Sequence, residues 1–148
     1  MENIETIKIK YHADIDEIDY IGGPGHSAWI DLRAAENVTM KAGEYKAISL
    51  GISMQLPDGF EALIAPRSST FRKYGILLVN GLGIVDPSFD GDGDIWHFPA
   101  YATRDTYIPF NDRICQFRIL EVQPLVGFDR VFTLGNPDRG GLGSSGRA

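Results

Sequence analysis

The sequence predicts an all-β sandwich or barrel carrying one short helix. Seventeen Gly and eight Pro are scattered as punctuation along 148 residues, with short apolar runs between them. That is the rhythm of many short strands joined by turns. Inside the runs, apolar and polar residues alternate, the period of a strand with one wet face.

The elements follow in order. Ile7, Ile9 and Tyr11 alternate with Lys8 and Lys10, a first strand. Ile48, Leu50, Ile52, Met54 and Leu56 form a second alternating stretch. Pro57-Asp58-Gly59 makes a turn, because Pro presets φ and Gly supplies a positive φ, and residues 60–65 form the returning strand. Ser68, Ser69 and Thr70 are N-cap residues, residues 71–74 make about one helical turn, and Gly75 stops it. Residues 113–122 are the longest later strand, with Ile114, Gln116, Arg118 and Leu120 on one face. The tail, residues 136–148, is rich in Gly and Ser and cannot pack a core of its own.

Composition narrows the class. Hydrophobic residues make up 43% and charged residues 23%, the balance of one ordinary domain. Fourteen basic residues against twenty acidic ones give a net charge of -6, which argues against direct nucleic-acid binding. A few local Arg residues still suffice for a small phosphorylated ligand. A single cysteine, Cys115, excludes an intrachain disulfide and fits a reducing compartment. No apolar run approaches a transmembrane length, and the first ten residues lack a signal-peptide core. A cytoplasmic protein is expected.

Several segments carry chemistry. In Ala65-Pro66-Arg67-Ser68-Ser69-Thr70 a strand ends and a helix begins within two or three residues. Free backbone N–H groups, an Arg and hydroxyls there make an anion site, or equally an ordinary cap beside a surface Arg. In residues 80–89, Gly81 and Gly83 suggest a hairpin that something approaches closely. Asp86 ends that strand before Pro87, where a carboxylate serves as general base on water or as a turn acceptor. Asp90-Gly91-Asp92-Gly93-Asp94 fails the EF-hand pattern, with Ile95 and Tyr101 where Gly and Glu are needed, and reads as a solvated turn. His12, His26 and His97 lack zinc-ligand spacing with Cys115. Arg139-Gly140-Gly141-Leu142-Gly143-Ser144-Ser145-Gly146 can wrap phosphate with successive backbone N–H groups, although no Lys follows as in a Walker loop. Alone, it also reads as a disordered tail.

Taken in order, five segments resemble the motifs of the trimeric dUTP pyrophosphatases: residues 28–35, 66–70 with Gly75-Ile76, 80–91, 111–117 and 138–146. The resemblance spans residues 28–146. It implies a distorted β-barrel or jelly-roll subunit of the dUTPase-like β-clip type, assembled as a homotrimer. Residues 136–148 would be a flexible C-terminal arm that closes over a neighbouring subunit's site. The reaction implied is hydrolysis of dUTP to dUMP and diphosphate, which limits uracil in DNA and supplies dUMP for thymidylate synthesis. Asp86 matches the carboxylate that activates the attacking water. Asp31 matches one that holds Mg²⁺ through water. Arg67, Ser68, Ser69 and Gln116 match residues lining the phosphate chain; Arg139, Ser144 and Ser145 match those closing over it. Asn80 and the backbone at Gly83 and Val85 match the groups that read uracil.

There are departures. Phe89 stands where the family usually has Tyr against the deoxyribose. Leu142 stands where an aromatic usually stacks on uracil, so Leu142 covers the base or Trp96 or Phe98 supplies the lid, unless both are core residues. Gly93-Asp94 lengthens the third segment. The related dCTP deaminases share the fold and the Arg-Ser-Ser segment but are expected to use a Glu on the next strand, and residues 95–100 contain none. A regulatory protein built on the same fold, with a protein partner, is the reading of another class. Intact Asp31, Arg67, Ser68, Asp86 and Gln116 favour catalysis.

Overall fold

The computed structural model describes residues 6–18, 25 and 27–141. Among them are eleven strands and one five-residue helix. All strand pairs are antiparallel, in four small sheets. The largest orders β2 (Ile30–Arg33), β11 (Arg113–Glu121), β6 (Phe60–Pro66) and β8 (Gly83–Val85). A second orders β4 (Tyr45–Ser49), β9 (His97–Ala102) and β7 (Ile76–Leu78). Two ribbons complete the set: β1 (Lys8–Tyr11) with β5 (Ile52–Gln55), and β3 (Val38–Met40) with β10 (Thr106–Ile108). No helix among the described residues is long and apolar enough to cross a membrane.

The sheets enclose one apolar core. Trp96, Phe98 and Phe117 are its largest fully buried side chains, and Trp96 meets Phe117 edge to face at 5.4 Å. Trp96 and Phe98 are 1% and 0% exposed, so neither forms a lid over a base; they are core residues.

Three sequence expectations need correction. The alternating stretch from Ile48 to Leu56 is two strands, β4 and β5, in different sheets. Gly51 separates them at φ 70°, and a Cβ there would lie 2.7 Å from the Cβ of Ala35. Its five apolar residues are all buried regardless. The turn at Pro57 forms as expected, with Gly59 at φ 81° and the Phe60 N–H donating to the Pro57 carbonyl. The strand after it does not return along β5, however, but pairs with β11 and β8. On β11, Ile114 does not keep to the face of Gln116, Arg118 and Leu120, because it is fully buried. Cys115 and Phe117 are fully buried, and Arg118 is exposed. A register slip against β2 between Arg113 and Cys115 lets Ile114 and Cys115 both point inward.

Candidate active site

The residues singled out from sequence fall into two groups. The first surrounds β8. After β7 the chain turns through Asn80 and Gly81 (φ 70°) into β8, which ends at Val85 beside Asp86. The expected hairpin is not one, because β7 pairs with β9 and β8 with β6. A cleft of about 520 Å³ opens here. Asn80, Gly83, Val85, Asp86 and Phe89 line one side, and Tyr45, Ala47, His97 and Pro99 come from the β4–β9 sheet. Its size suits a nucleoside-sized ligand. The close approach at Gly83 is made by the chain itself: a Cβ would lie 2.9 Å from the Cβ of Ile64.

Asp86 is fully exposed at the mouth of this cleft. Its Oδ2 accepts hydrogen bonds from the Ser88 hydroxyl and, at 3.0 Å, from the Ser88 N–H. The hydroxyl first, then the N–H, holds this carboxyl below the ordinary carboxylate range. The turn role foreseen for Asp86 is therefore real, and it uses one oxygen. Oδ1 has no hydrogen-bond partner among the described residues.

The second group lies across the largest sheet. Asp31 on β2 is opposite Gln116 on β11, which is opposite Ala65 on β6. Gln116 Nε2 donates to the Pro66 carbonyl at 3.1 Å. One residue on, Arg67 Nε contacts Asp31 Oδ1 at 2.9 Å, and Arg113 Nε approaches Oδ2 at 3.8 Å. Ser68 is exposed beside Arg67. The helix α1 (Thr70–Tyr74) begins after Ser69, whose side chain makes no capping bond, and ends at Gly75 with φ 67°. Thr70 is not a cap but a buried residue of the first turn.

The register separates the groups. Ala62 opposite Val85 puts Asp86 level with Glu61. Arg67 is six residues further along (61 to 67), roughly 20 Å at about 3.3 Å per residue. Asp86 and Arg67 of one chain are therefore set far apart along β6.

No cluster of three or more His, Cys, Asp or Glu among the described residues could hold a metal ion. The carboxylate in contact with Arg67 is that of Asp31. His12 contacts the Ser53 hydroxyl, and His97 Nδ1 the Ile95 carbonyl. The lengthened acidic turn is structural: Asp94 Oδ2 accepts the Gly91 N–H, and the Asp94 carbonyl accepts the Ser53 hydroxyl from β5. Arg139 lies in an exposed C-terminal stretch. His26, Leu142, Ser144 and Ser145 lie outside the described residues.

Sequence reasoning missed Arg113 and the far wall of the cleft. Arg113 adjoins the motif that holds Gln116, but only the bulge on β11 reveals its direction. Tyr45, Ala47 and His97 come from another sheet, and no local pattern links them to Asp86.

Comparison with known proteins identifies the family. The dUTPase family model matches residues 21–146, and the chain belongs to that family. It is 51% identical over 141 residues to a prophage-derived deoxyuridine 5'-triphosphate nucleotidohydrolase of Bacillus subtilis, covering 95% of this chain and 97% of the relative. It is 33% identical to the deoxyuridine 5'-triphosphate nucleotidohydrolase of Solibacter usitatus, over 86% of each chain. Among solved structures, the dUTPase of Streptococcus mutans superposes with a TM-score of 0.68 at 19% identity, over 80% of this chain and 98% of the other. A dUTPase mutant from phage phi11 of Staphylococcus aureus, described with a structural Mg(II) ion, superposes at 0.72 with 14% identity, over 88% and 99%. These structures share the fold, the jelly-roll β-clip of dUTPases.

Proposed function

We propose that this dUTP diphosphatase cuts dUTP to dUMP and diphosphate at sites each assembled from more than one copy of the chain. The observation that carries the reading is the separation of Asp86 from the Arg67 group by about 20 Å along β6. A cleft with a base and no cations, and a cation group with no cleft, complete each other only between copies.

In this reading the β8 cleft takes the nucleoside. Asn80 and the backbone of Gly83 and Val85 bond the uracil edge, and the Phe89 ring covers the deoxyribose. Cytosine would leave these groups mispaired, a loss of roughly 10⁴-fold in discrimination. Asp86 Oδ1 accepts a proton from water as the water oxygen attacks the α-phosphorus. The bond from that phosphorus to the bridging oxygen breaks, and diphosphate leaves. Arg67, Ser68, Ser69 and Gln116 of a neighbouring copy hold the phosphate chain. Asp31 would hold Mg²⁺ through water, and the metal, when bound, would supply charge neutralisation for the leaving diphosphate. Residues 136–148 form the closing arm, with Arg139, Ser144 and Ser145 toward the phosphates and Leu142 over the base. The product dUMP feeds thymidylate synthesis, and removal of dUTP limits uracil in DNA.

Assembly as a homotrimer is supported by the stretch after β11. Residues 121–141 are all exposed, among them Leu125, Phe128, Phe132 and Leu134. Large apolar side chains at such density need a surface to cover them, and a second copy provides one.

Diphosphate release from dUTP, dCTP, dTTP and UTP with Mg²⁺ tests the reading. We expect release from dUTP alone, reduced at least a hundredfold in Asp86→Asn. Equal release from dCTP, or an unimpaired Asp86→Asn, sinks it.

A further inference from the structure

The turn that carries Arg67 is tied to the strand that carries Gln116 through one buried hydroxyl. Thr70 is 1% exposed. Its Oγ1 accepts a hydrogen bond from the Arg67 N–H at 2.8 Å and donates one to the Ile114 carbonyl at 2.8 Å. The backbone closes the same loop, with the Thr70 N–H donating to the Arg67 carbonyl at 3.0 Å. Ile114 sits in the register slip where β11 parts from β2, two residues before Gln116. Gln116 in turn donates to the Pro66 carbonyl, next to Arg67. The two segments are thus clamped twice, once by Gln116 and once by Thr70. Of these bonds, only the one from the Thr70 hydroxyl to the Ile114 carbonyl is fully buried.

From this we infer that Thr70 is a positioning residue for the phosphate-chain site: its hydroxyl fixes the Arg67 turn against β11, so that the guanidinium and the Gln116 amide face one ligand. The inference rests on the reading of Arg67 and Gln116 as phosphate-chain residues. Placement is worth this buried bond because small displacements of a charged clamp cost much of its effect. Valine has the shape of threonine without the hydroxyl. It would leave the Arg67 N–H and the Ile114 carbonyl unpaired and let the turn relax. Serine keeps both hydrogen bonds.

The test compares Thr70→Val, Thr70→Ser and Arg67→Gln in the full assembled protein. KM and kcat are measured for dUTP, and inhibition constants for deoxyuridine, which has no phosphate. Thr70→Val should raise KM for dUTP about tenfold, a loss on the scale of one or two hydrogen bonds. Its deoxyuridine inhibition constant should stay at the wild-type value, and Thr70→Ser should restore KM. A Thr70→Val protein with wild-type KM beside an impaired Arg67→Gln overturns the positioning role alone. Equal loss of deoxyuridine and dUTP binding in Thr70→Val also overturns it, because the residue would then support the fold at large. Wild-type dUTP kinetics in Arg67→Gln would instead overturn the underlying reading of the site.

Discussion

The carboxylate of Asp86 accepts two hydrogen bonds from Ser88, and both donors favour its ionised form. A general base works only when ionised, so under the proposed mechanism activity should fall as pH drops through this lowered pKa. Replacing Ser88 with Ala removes the larger cause, the hydroxyl, and keeps the backbone N–H. The carboxyl pKa then rises toward its ordinary value. The acidic limb of kcat/KM for dUTP should move to higher pH in Ser88→Ala, while the plateau near neutrality stays close to wild type. An unmoved limb would mean that the Ser88 hydroxyl does not govern the base. The contrast with Asp31 is instructive. Asp31 is engaged by Arg67 on one oxygen and Arg113 on the other, so it is held as an ion-pair partner until a ligand competes for the guanidinium. One carboxylate is kept ready for a proton, and the other keeps a cation in place.

At the scale of elements, Gly51 decides where one strand ends and the next begins. It combines φ 70° with contact against Ala35. Gly51→Ala therefore suffers both backbone strain and overpacking, about 3 kcal/mol together. The urea midpoint should fall at an unchanged m-value, and an unchanged midpoint would show that the neighbourhood yields. The break also explains what could be read from sequence. Alternation in β1, the turn at Gly59, the stop at Gly75 and the strand end at Asp86 are local, and each was legible from the residues that form it. The division of residues 48–56 was not, because the apolar period runs through the break and both halves bury their residues in the same core. Pairing was equally hidden, since β6 finds its neighbours in β11 and β8 and not in the strand before it. The bulge on β11 hid which face of that strand is buried, and with it the direction of Arg113. The motifs were recognisable in the sequence, but the order of strands decides which of their residues meet.

For the whole molecule, the antiparallel register of β6 and β8 places Asp86 and Arg67 at opposite ends of a strand. If each site takes Asp86 from one copy and Arg67 from another, two inactive variants can repair each other. Asp86→Asn keeps a sound Arg67 group, and Arg67→Gln keeps a sound cleft. In assemblies refolded from an equal mixture, a site is intact when the copy giving the cleft is Arg67→Gln and the copy giving the cations is Asp86→Asn. Random assembly makes this true for about one site in four, so dUTP hydrolysis should return to ~25% of wild type, above the residual rate of either variant alone. Simple mixing without subunit exchange should give none of this gain. If refolded mixtures remain at the residual rate while exchange is verified by mass, both groups must serve one chain. The distance along β6 would then have to be closed by a rearrangement within the subunit. Removing residues 122–148 tests assembly together with the closing arm. Without Leu125, Phe128, Phe132 and Leu134 to seat on a neighbour, the shortened chain should sediment as a smaller species and lose activity. Adding the Asp86→Asn protein to it should not restore the rate.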